Sequence, residues 1–122
     1  MVIFDTNILI ELYRGNPTIS QQVQNIKSNV FYISSITEAE FIIGAKNKAD
    51  LAKINNQLSK YTVVPINEDI TDIFINLFRK FTLSHRPGIP DILIAATAIY
   101  YHLPLYTLNK KDFQFIPNIQ LL

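Results

Sequence analysis

The sequence contains no cysteine among its 122 residues. Disulfides and thiolate metal sites are therefore excluded, and the absence fits a reducing compartment such as the cytoplasm. The apolar start Val2-Ile3-Phe4 is interrupted by Asp5 before the core of a signal peptide could form. No window approaches the roughly 18–20 consecutive apolar residues of a membrane span. We therefore expect a soluble, cytoplasmic protein with no membrane contact.

A strong excess of one charge is also missing, since the formal net charge is +1. That sum includes four acids, named below, that are candidates for a single pocket. When they are set aside, eleven basic residues stand against six acidic ones over the rest of the surface. A basic rim around an acidic pocket suits a substrate with a phosphate backbone.

The chain has no internal repeats, low-complexity segments or linkers. Its length and its 48% hydrophobic content suit a single domain over residues 1–122 with a substantial core. Strands are predicted at 2–4, 30–33, 62–66, 105–107 and 119–122. Helical spacing predicts helices near 8–13, 19–26, 41–45, 51–60, 70–81 and 91–101, the last apolar almost all round and therefore buried. This alternation indicates a three-layer α/β/α sandwich with a short, mainly parallel sheet.

Four acidic residues each follow a predicted strand or lie near a helix start: Asp5, Glu40, Asp91 and Asp112. In parallel sheets ligands bind beyond the carboxyl ends of the strands, so this placement favours a functional site. Each acid also has a plainer interpretation. Asp5 and Asp91 suit helix N-caps, and Asp112 suits an exposed turn.

Glu40 lies in one of two overlapping capping-box patterns. Thr37-x-x-Glu40 would bind Glu40 to a backbone amide, whereas Ser35-x-x-Glu38 would leave it free. We favour Ser35 and Glu38 as the capping pair, with Glu40 projecting elsewhere.

If the fold brings these carboxylates together, protonation or cations must relieve their repulsion. Oxygen ligands without cysteine or clustered histidine suit a hard cation such as Mg²⁺ or Mn²⁺. Such an ion keeps bound waters, one of which can attack a phosphodiester. Composition alone leaves the convergence of the acids open.

Four blocks of sequence carry a resemblance to a known family. They are residues 3–7 (IFDTN), 34–40 (SSITEAE) with Gly44-Ala45, 91–98 (DILIAATA) and 106–113 (YTLNKKDF). On these blocks, in the family's order and near its spacing, the chain resembles the PIN-domain family and, within it, the VapC-type toxins of toxin–antitoxin pairs. The match covers essentially the whole chain, so it is a specific signal.

The resemblance implies a PIN-like α/β/α fold and an endoribonuclease that uses Mg²⁺, or Mn²⁺ as a substitute, to leave a 5′-phosphate and a 3′-hydroxyl. It assigns Asp5 and Asp91 as the principal metal ligands, with Glu40 completing the site or positioning the attacking water. Supporting hydrogen bonds are expected from Thr6, Asn7, Thr107 and Asn109.

The sequence departs from the family pattern at the fourth acidic position. Many relatives carry aspartate where this chain has Asn109, and here Asp112 follows one helical turn later. The departure leaves open whether one or two ions bind, and whether Asp112 is catalytic or supporting. We assign no catalytic role to His85 or His102, because a lone histidine at a helix end or in a loop is more often structural or solvated.

The resemblance also implies partners, namely an RNA substrate, a second copy in a homodimer, and a small antitoxin that covers the groove and can insert a basic side chain among the acids. Other readings fit less well. A haloacid-dehalogenase-like phosphotransferase needs a second aspartate where Asn7 stands, and a receiver domain needs an early acidic pair and a late lysine. A PIN-like module that binds RNA or protein without cleavage is favoured only by Asn109.

Overall fold

The computed structural model describes all residues from Met1 to Leu122. It contains four strands, six α-helices and one short 3₁₀ helix. In chain order these are β1 (Val2–Phe4), α1 (Thr6–Tyr13), α2 (Pro17–Asn25), β2 (Phe31–Ser34), α3 (Ser35–Ile43), α4 (Lys48–Leu58), β3 (Thr62–Val64), α5 (Glu68–His85), α6 (Ile89–Tyr100), β4 (Leu105–Tyr106) and the 3₁₀ helix Lys110–Asp112. The predicted strand–helix alternation is therefore confirmed.

The four strands form one parallel sheet in the order β3-β2-β1-β4. Ile3 of β1 lies opposite Tyr32 on one side and Leu105 on the other. Along the chain, β2 is added beside β1 and β3 beside β2, and β4 then pairs with the opposite edge of β1. The strand order thus reverses between β1 and β4, and in open α/β sheets a ligand binds beyond the carboxyl ends at such a point.

Alternating side chains place a separate hydrophobic core on each face of the sheet. Val2 and Phe4 of β1 pack with residues of α1, α2 and α4, whereas Ile3 packs with residues of α5 and α6. Helices consequently cover both faces. The predicted three-layer α/β/α architecture is confirmed, and the sheet is parallel throughout.

Helix α6 is the most buried helix, as its composition predicts. Ala95, Ala96 and Ala98 are buried, and their small side chains allow α6 to pack closely against α5. None of the helices combines the length and the apolar character that crossing a membrane requires.

Several segments differ from the sequence prediction. The helix predicted near 41–45 begins earlier, at Ser35, and ends at Ile43, and the strand predicted at 62–66 ends at Val64. The strand expected at 119–122 is reduced to a single parallel bridge between Leu105 and Leu121. The turn expected around Pro87 and Pro90 is shorter, because α5 continues to His85 and α6 already begins at Ile89. Pro90 lies in the first turn of α6, where a missing N–H costs no hydrogen bond and the fixed φ favours the helix.

Candidate active site

Asp5 lies directly after β1 and is almost fully buried, with 5% of its surface exposed. Its N–H extends the sheet by donating to the Tyr106 carbonyl at 2.9 Å. Its Oδ1 accepts the Thr6 N–H at 2.7 Å, and its Oδ2 accepts the Thr107 hydroxyl, also at 2.7 Å. Asp5 therefore caps α1, as its plainer interpretation predicts, and also joins the ends of β1 and β4.

Glu40 reaches the same region from the middle of α3. The helix is capped by Ser34, whose Oγ accepts the Thr37 N–H at 3.2 Å. The predicted Ser35–Glu38 capping pair is therefore wrong, because β2 continues through Ser34 and its extended backbone aims that hydroxyl at the helix. The expected consequence is nevertheless confirmed, since Glu40 takes no part in capping.

A chain of hydroxyl groups links Glu40 to the residues beside Asp5. The Thr6 hydroxyl donates to Glu40 Oε1 at 2.6 Å, and Thr6 Oγ1 also lies 3.2 Å from Thr37 Oγ1. Thr37 is fully buried and contacts the Ser34 hydroxyl at 3.3 Å. Ser34 and Thr37 were not predicted as site residues. Thr37 stands three residues before Glu40, so in a helix the two side chains lie on the same face. This spacing is the sequence signal that could have identified Thr37 as a site residue.

Asp91 is the third residue of α6 rather than its N-cap. Gly88 occupies the cap position and makes no side-chain capping bond, so the prediction that Asp91 opens the helix is wrong by two residues. Asp91 lies in the first turn, partly buried, and faces a small cleft. Asp112, in the exposed 3₁₀ helix after β4, lines the same cleft.

The four acids interact electrostatically. The pKa of Asp91 is raised from 3.8 to about 6, mainly by burial and further by the charges of Asp5, Asp112 and Glu40. The pKa of Asp5 is also raised by burial and by the charges of Glu40 and Asp112, although its hydrogen bonds from Thr107 and Thr6 oppose the shift. The charges of Glu40 and Asp112 thus act on both Asp5 and Asp91, and the charge of Asp5 acts on Asp91.

The four predicted supporting residues lie around this site. Thr6 and Thr107 are buried and donate hydroxyl hydrogen bonds to Glu40 and Asp5. Asn109 contributes through its backbone, since its N–H donates to Thr107 Oγ1 at 3.0 Å while its side chain is exposed. Asn7 Oδ1 accepts the Leu108 N–H at 3.4 Å and so fixes the loop that follows β4.

The donor set at the site consists of oxygen atoms, which suits Mg²⁺ or Mn²⁺. No group of three or more acidic or histidine side chains lies close enough together to hold a metal ion. This spacing still fits Mg²⁺, which usually takes one or two carboxylates and completes its shell with waters and substrate phosphate. Two carboxyl groups with raised pKa, Asp5 and Asp91, are also groups whose ionised forms a cation would stabilise.

Helices cover both faces of a parallel sheet, and acidic side chains lie where the strand order reverses, so the chain is an α/β protein with carboxylates beyond the carboxyl ends of its strands. The sequence profile of the PIN domain matches residues 2–117. The chain belongs to the PIN-domain family.

Individual relatives narrow the comparison. A protein named Ribonuclease VapC from Rickettsia bellii is 34% identical over 99% of this chain and 94% of its own length. Ribonuclease VapC19 from Mycobacterium tuberculosis is 32% identical over 98% of each chain. A chain in the solved toxin–antitoxin complex from Klebsiella pneumoniae is 33% identical, with a TM-score of 0.82 over 98% of this chain and 95% of that one. The predicted resemblance to VapC-type PIN domains is confirmed.

Proposed function

We propose that this protein is an endoribonuclease of the toxin type, which hydrolyses RNA phosphodiester bonds with the help of Mg²⁺, or Mn²⁺ in its place. One observation carries the proposal most strongly: hydroxyl groups of Thr107 and Thr6 orient the carboxylates of Asp5 and Glu40 beyond the end of β1. The pKa of Asp91 is raised to about 6, mainly by burial and further by the charges of the other three acids. Acids that repel one another at the end of a parallel sheet favour a bound cation. Relatives named ribonucleases support RNA as the substrate.

In this proposal Asp5 and Asp91 hold the cation, directly or through water. Asp5 is fixed by two hydrogen bonds, one to each carboxylate oxygen, so its ligand geometry is preset. When bound, the cation supplies positive charge to the phosphate and lowers the pKa of an attacking water. Glu40, oriented by the Thr6 hydroxyl, positions that water.

Asp112 has a supporting role in this scheme. It is exposed on the 3₁₀ helix, and its charge acts on both Asp5 and Asp91. Asn109 is neutral and serves through its backbone N–H. One ion held by Asp5 and Asp91 is therefore sufficient for the proposed site.

We further propose that a small antitoxin inhibits the protein and that two copies form a homodimer. The similar chain from Klebsiella pneumoniae comes from a toxin–antitoxin complex. Three large apolar side chains, Ile43, Leu83 and Ile89, are 81%, 83% and 64% exposed and provide surface for such contacts. The RNA substrate puts the proposed activity in the cytoplasm.

Incubation with total cellular RNA tests the proposed function. Purified protein, free of antitoxin, is compared in Mg²⁺, in Mn²⁺ and in EDTA, with Asp5→Asn as the control for contaminating nuclease. We expect discrete cleavage that needs the metal and disappears in the variant. If folded protein cleaves no RNA with either metal, the proposal fails in favour of a PIN-like module that binds RNA or protein, and Asn109→Asp becomes the first change to test for restored cleavage.

A further inference from the structure

A cleft beside Asp91 and Asp112 contains groups that the proposed hydrolysis does not use. It has a volume of about 200 Å³ and lies between the end of α5, the start of α6 and the 3₁₀ helix. The two acids form part of its wall. The rest is lined by His85, Arg86, Pro87, Gly88, Lys111 and Phe115.

An ordered aromatic pair forms one wall of this cleft. The ring of His85 stacks on Phe115 with the centroids 4.1 Å apart and the planes 13° from parallel. Phe81 meets both rings edge-on, at centroid distances of 5.7 Å and 5.1 Å. The Ser84 hydroxyl lies 2.8 Å from His85 Nδ1, so Nε2 is the nitrogen available to a ligand. These contacts fix the orientation of the His85 ring. Because His85 is exposed, part of the ring stays open to solvent.

Two cations line the cleft without being neutralised by its acids. Arg86 and Lys111 are both exposed, and the only ion pair in the structure joins Arg14 to Glu11 elsewhere. Arg86 adopts the left-handed conformation, with φ 44° and ψ 54°, at the position that ends α5. Glycine is the usual residue there, so arginine is a conformationally unfavourable choice that places a positive charge at the cleft.

We propose that this cleft is a nucleotide subsite, in which the base next to the cleaved bond stacks on His85 and the adjoining phosphate contacts Arg86 and Lys111. The inference rests on the proposed function. Stacking on an aromatic ring combined with nearby cations is how proteins bind single-stranded RNA. Because Asp91 and Asp112 share the wall of the cleft, a base bound here lies next to the phosphate at the acidic site.

Proton NMR tests the subsite directly, since the chain contains two histidines, His85 and His102. The probes are the four nucleoside 5′-monophosphates, with ribose 5-phosphate as the control that lacks a base, all at constant pH in EDTA. His102 precedes β4, at the opposite end of the sheet from the acids, and the His102→Asn variant assigns the two sets of ring signals. Asparagine is chosen because the residue at position 102 has a positive φ of 54°.

We expect nucleotides to shift the His85 ring signals upfield through the ring current of the base, while ribose 5-phosphate leaves them nearly unchanged and His102 does not respond. Arg86→Asn and Lys111→Gln should weaken nucleotide binding and lower its salt dependence. The subsite is overturned if the His85 signals stay in place at nucleotide saturation, or if both histidines respond alike.

A cleavage comparison separates this inference from the proposed function. His85→Ala should lower RNA affinity roughly tenfold, whereas His102→Asn should leave it unchanged. If the protein cleaves RNA but the His85→Ala substitution leaves its affinity for RNA unchanged, the subsite is contradicted and the proposed ribonuclease activity still stands. Conversely, protein that cleaves no RNA but stacks nucleotides on His85 contradicts the ribonuclease and leaves the subsite intact.

Discussion

The two carboxylate oxygens of Asp5 each accept one hydrogen bond, from the Thr6 N–H and from the Thr107 hydroxyl. These bonds lower the pKa of Asp5 against the larger effect of burial, which raises it. They also fix the orientation of the carboxylate. The residues around Asp5 thus help to keep a buried carboxyl group ionised and oriented, as the proposed role in cation binding requires.

Thr107→Val removes the hydroxyl that orients Asp5 Oδ2. We expect RNA cleavage to fall about 10- to 100-fold, the usual cost of losing a group that orients a ligand. Thr97→Val is the matched control, because Thr97 is equally buried but its hydroxyl donates to the Leu93 carbonyl within α6. Single-turnover cleavage rates measure the effect. Equal rates for the two variants would show that the Thr107–Asp5 bond has no catalytic importance.

At pH values above the pKa of Asp91, Asp91→Asn should increase the stability of the metal-free protein. The folded pKa is about 6 against an ordinary 3.8, so the folded state binds the proton more tightly than the unfolded state. The stability contributed by Asp91 is therefore present at low pH and is lost as pH rises between these two values. Because Asp91 is only partly buried, we expect a gain of about 1 kcal/mol in the variant after allowance for solvent screening.

Urea unfolding in EDTA, below and above pH of about 6, measures this difference. The exposed Asp72 on α5 supplies the control Asp72→Asn, for which no comparable gain is expected. If Asp91→Asn is no more stable than the wild type at the higher pH, the ionised Asp91 does not destabilise the metal-free folded protein, and the prediction is contradicted. The same substitution should abolish cleavage, so that stability and activity change in opposite directions.

The site acids were predictable from the sequence, whereas the groups around them were less so. Asp5 and Asp91 follow recognisable patterns at strand ends and helix starts, and the PIN resemblance aligned both. The side chains of Arg86 and Lys111, which line the proposed nucleotide subsite, carry no such pattern, because exposed cations are common on any surface. Their position beside the acids follows only from how α5, α6 and the 3₁₀ helix meet.

At the level of elements, α3 sets the position of Glu40. Its start is fixed by Ser34, which is the last residue of β2 and also the N-cap of α3. A strand that leads into a helix without a loop leaves little freedom between them. The direction of α3, and with it the reach of Glu40, is therefore coupled to the sheet.

Ser34→Ala should destabilise the protein by about 1–2 kcal/mol, because the buried Thr37 N–H loses its partner. Asn47→Ala is the control, since Asn47 caps α4 by accepting the Asp50 N–H at 2.8 Å and makes no hydrogen bond to the four site acids. We expect both variants to unfold more easily but only Ser34→Ala to cleave RNA more slowly. Thermal unfolding and cleavage rates are measured on the same preparations. Equal loss of cleavage in the two variants would exclude a specific role for the α3 cap.

Helix boundaries were less predictable than helix positions. The predicted capping pair at α3 is wrong because two Ser/Thr-x-x-Glu patterns overlap there, and the residue that caps the helix, Ser34, belongs to neither pattern. The predicted start of α6 is two residues late, because proline suits a turn as well as the first turn of a helix. Both errors are local. A polar residue beside a helix start can cap the helix, form a turn or bind a ligand, and only the tertiary contacts determine which role it has.

At the level of the whole molecule, the position of the site follows from the strand order. Composition and periodicity predict alternating strands and helices, but they do not establish that β1 lies between β2 and β4. Both cores are apolar, so sequence pattern alone does not assign a helix to one face of the sheet. The family resemblance supplied the convergence of Asp5, Glu40 and Asp91 that pattern analysis left open.

Mg²⁺ should stabilise the whole domain, because a cation that binds only the folded site shifts the unfolding equilibrium. At about 100 times its dissociation constant, the ion should add about 2.7 kcal/mol to the free energy of unfolding. Asp5→Asn should lose most of this effect, whereas the exposed control Asp72→Asn should retain it. Thermal unfolding with and without Mg²⁺ gives the comparison. The same shift in all three proteins would mean that the ion acts elsewhere than at the acidic site.

The chemical ends of the RNA fragments test the central claim most directly. Wild-type protein and Asp5→Asn are incubated with RNA in Mg²⁺ and in EDTA, and the fragments are analysed by mass spectrometry. Attack by water at the acidic site predicts 5′-phosphate and 3′-hydroxyl ends that appear only with wild-type protein and metal. Fragments with 2′,3′-cyclic phosphate and 5′-hydroxyl ends, formed equally in EDTA, would contradict it, because the RNA's own 2′-hydroxyl would then be the nucleophile.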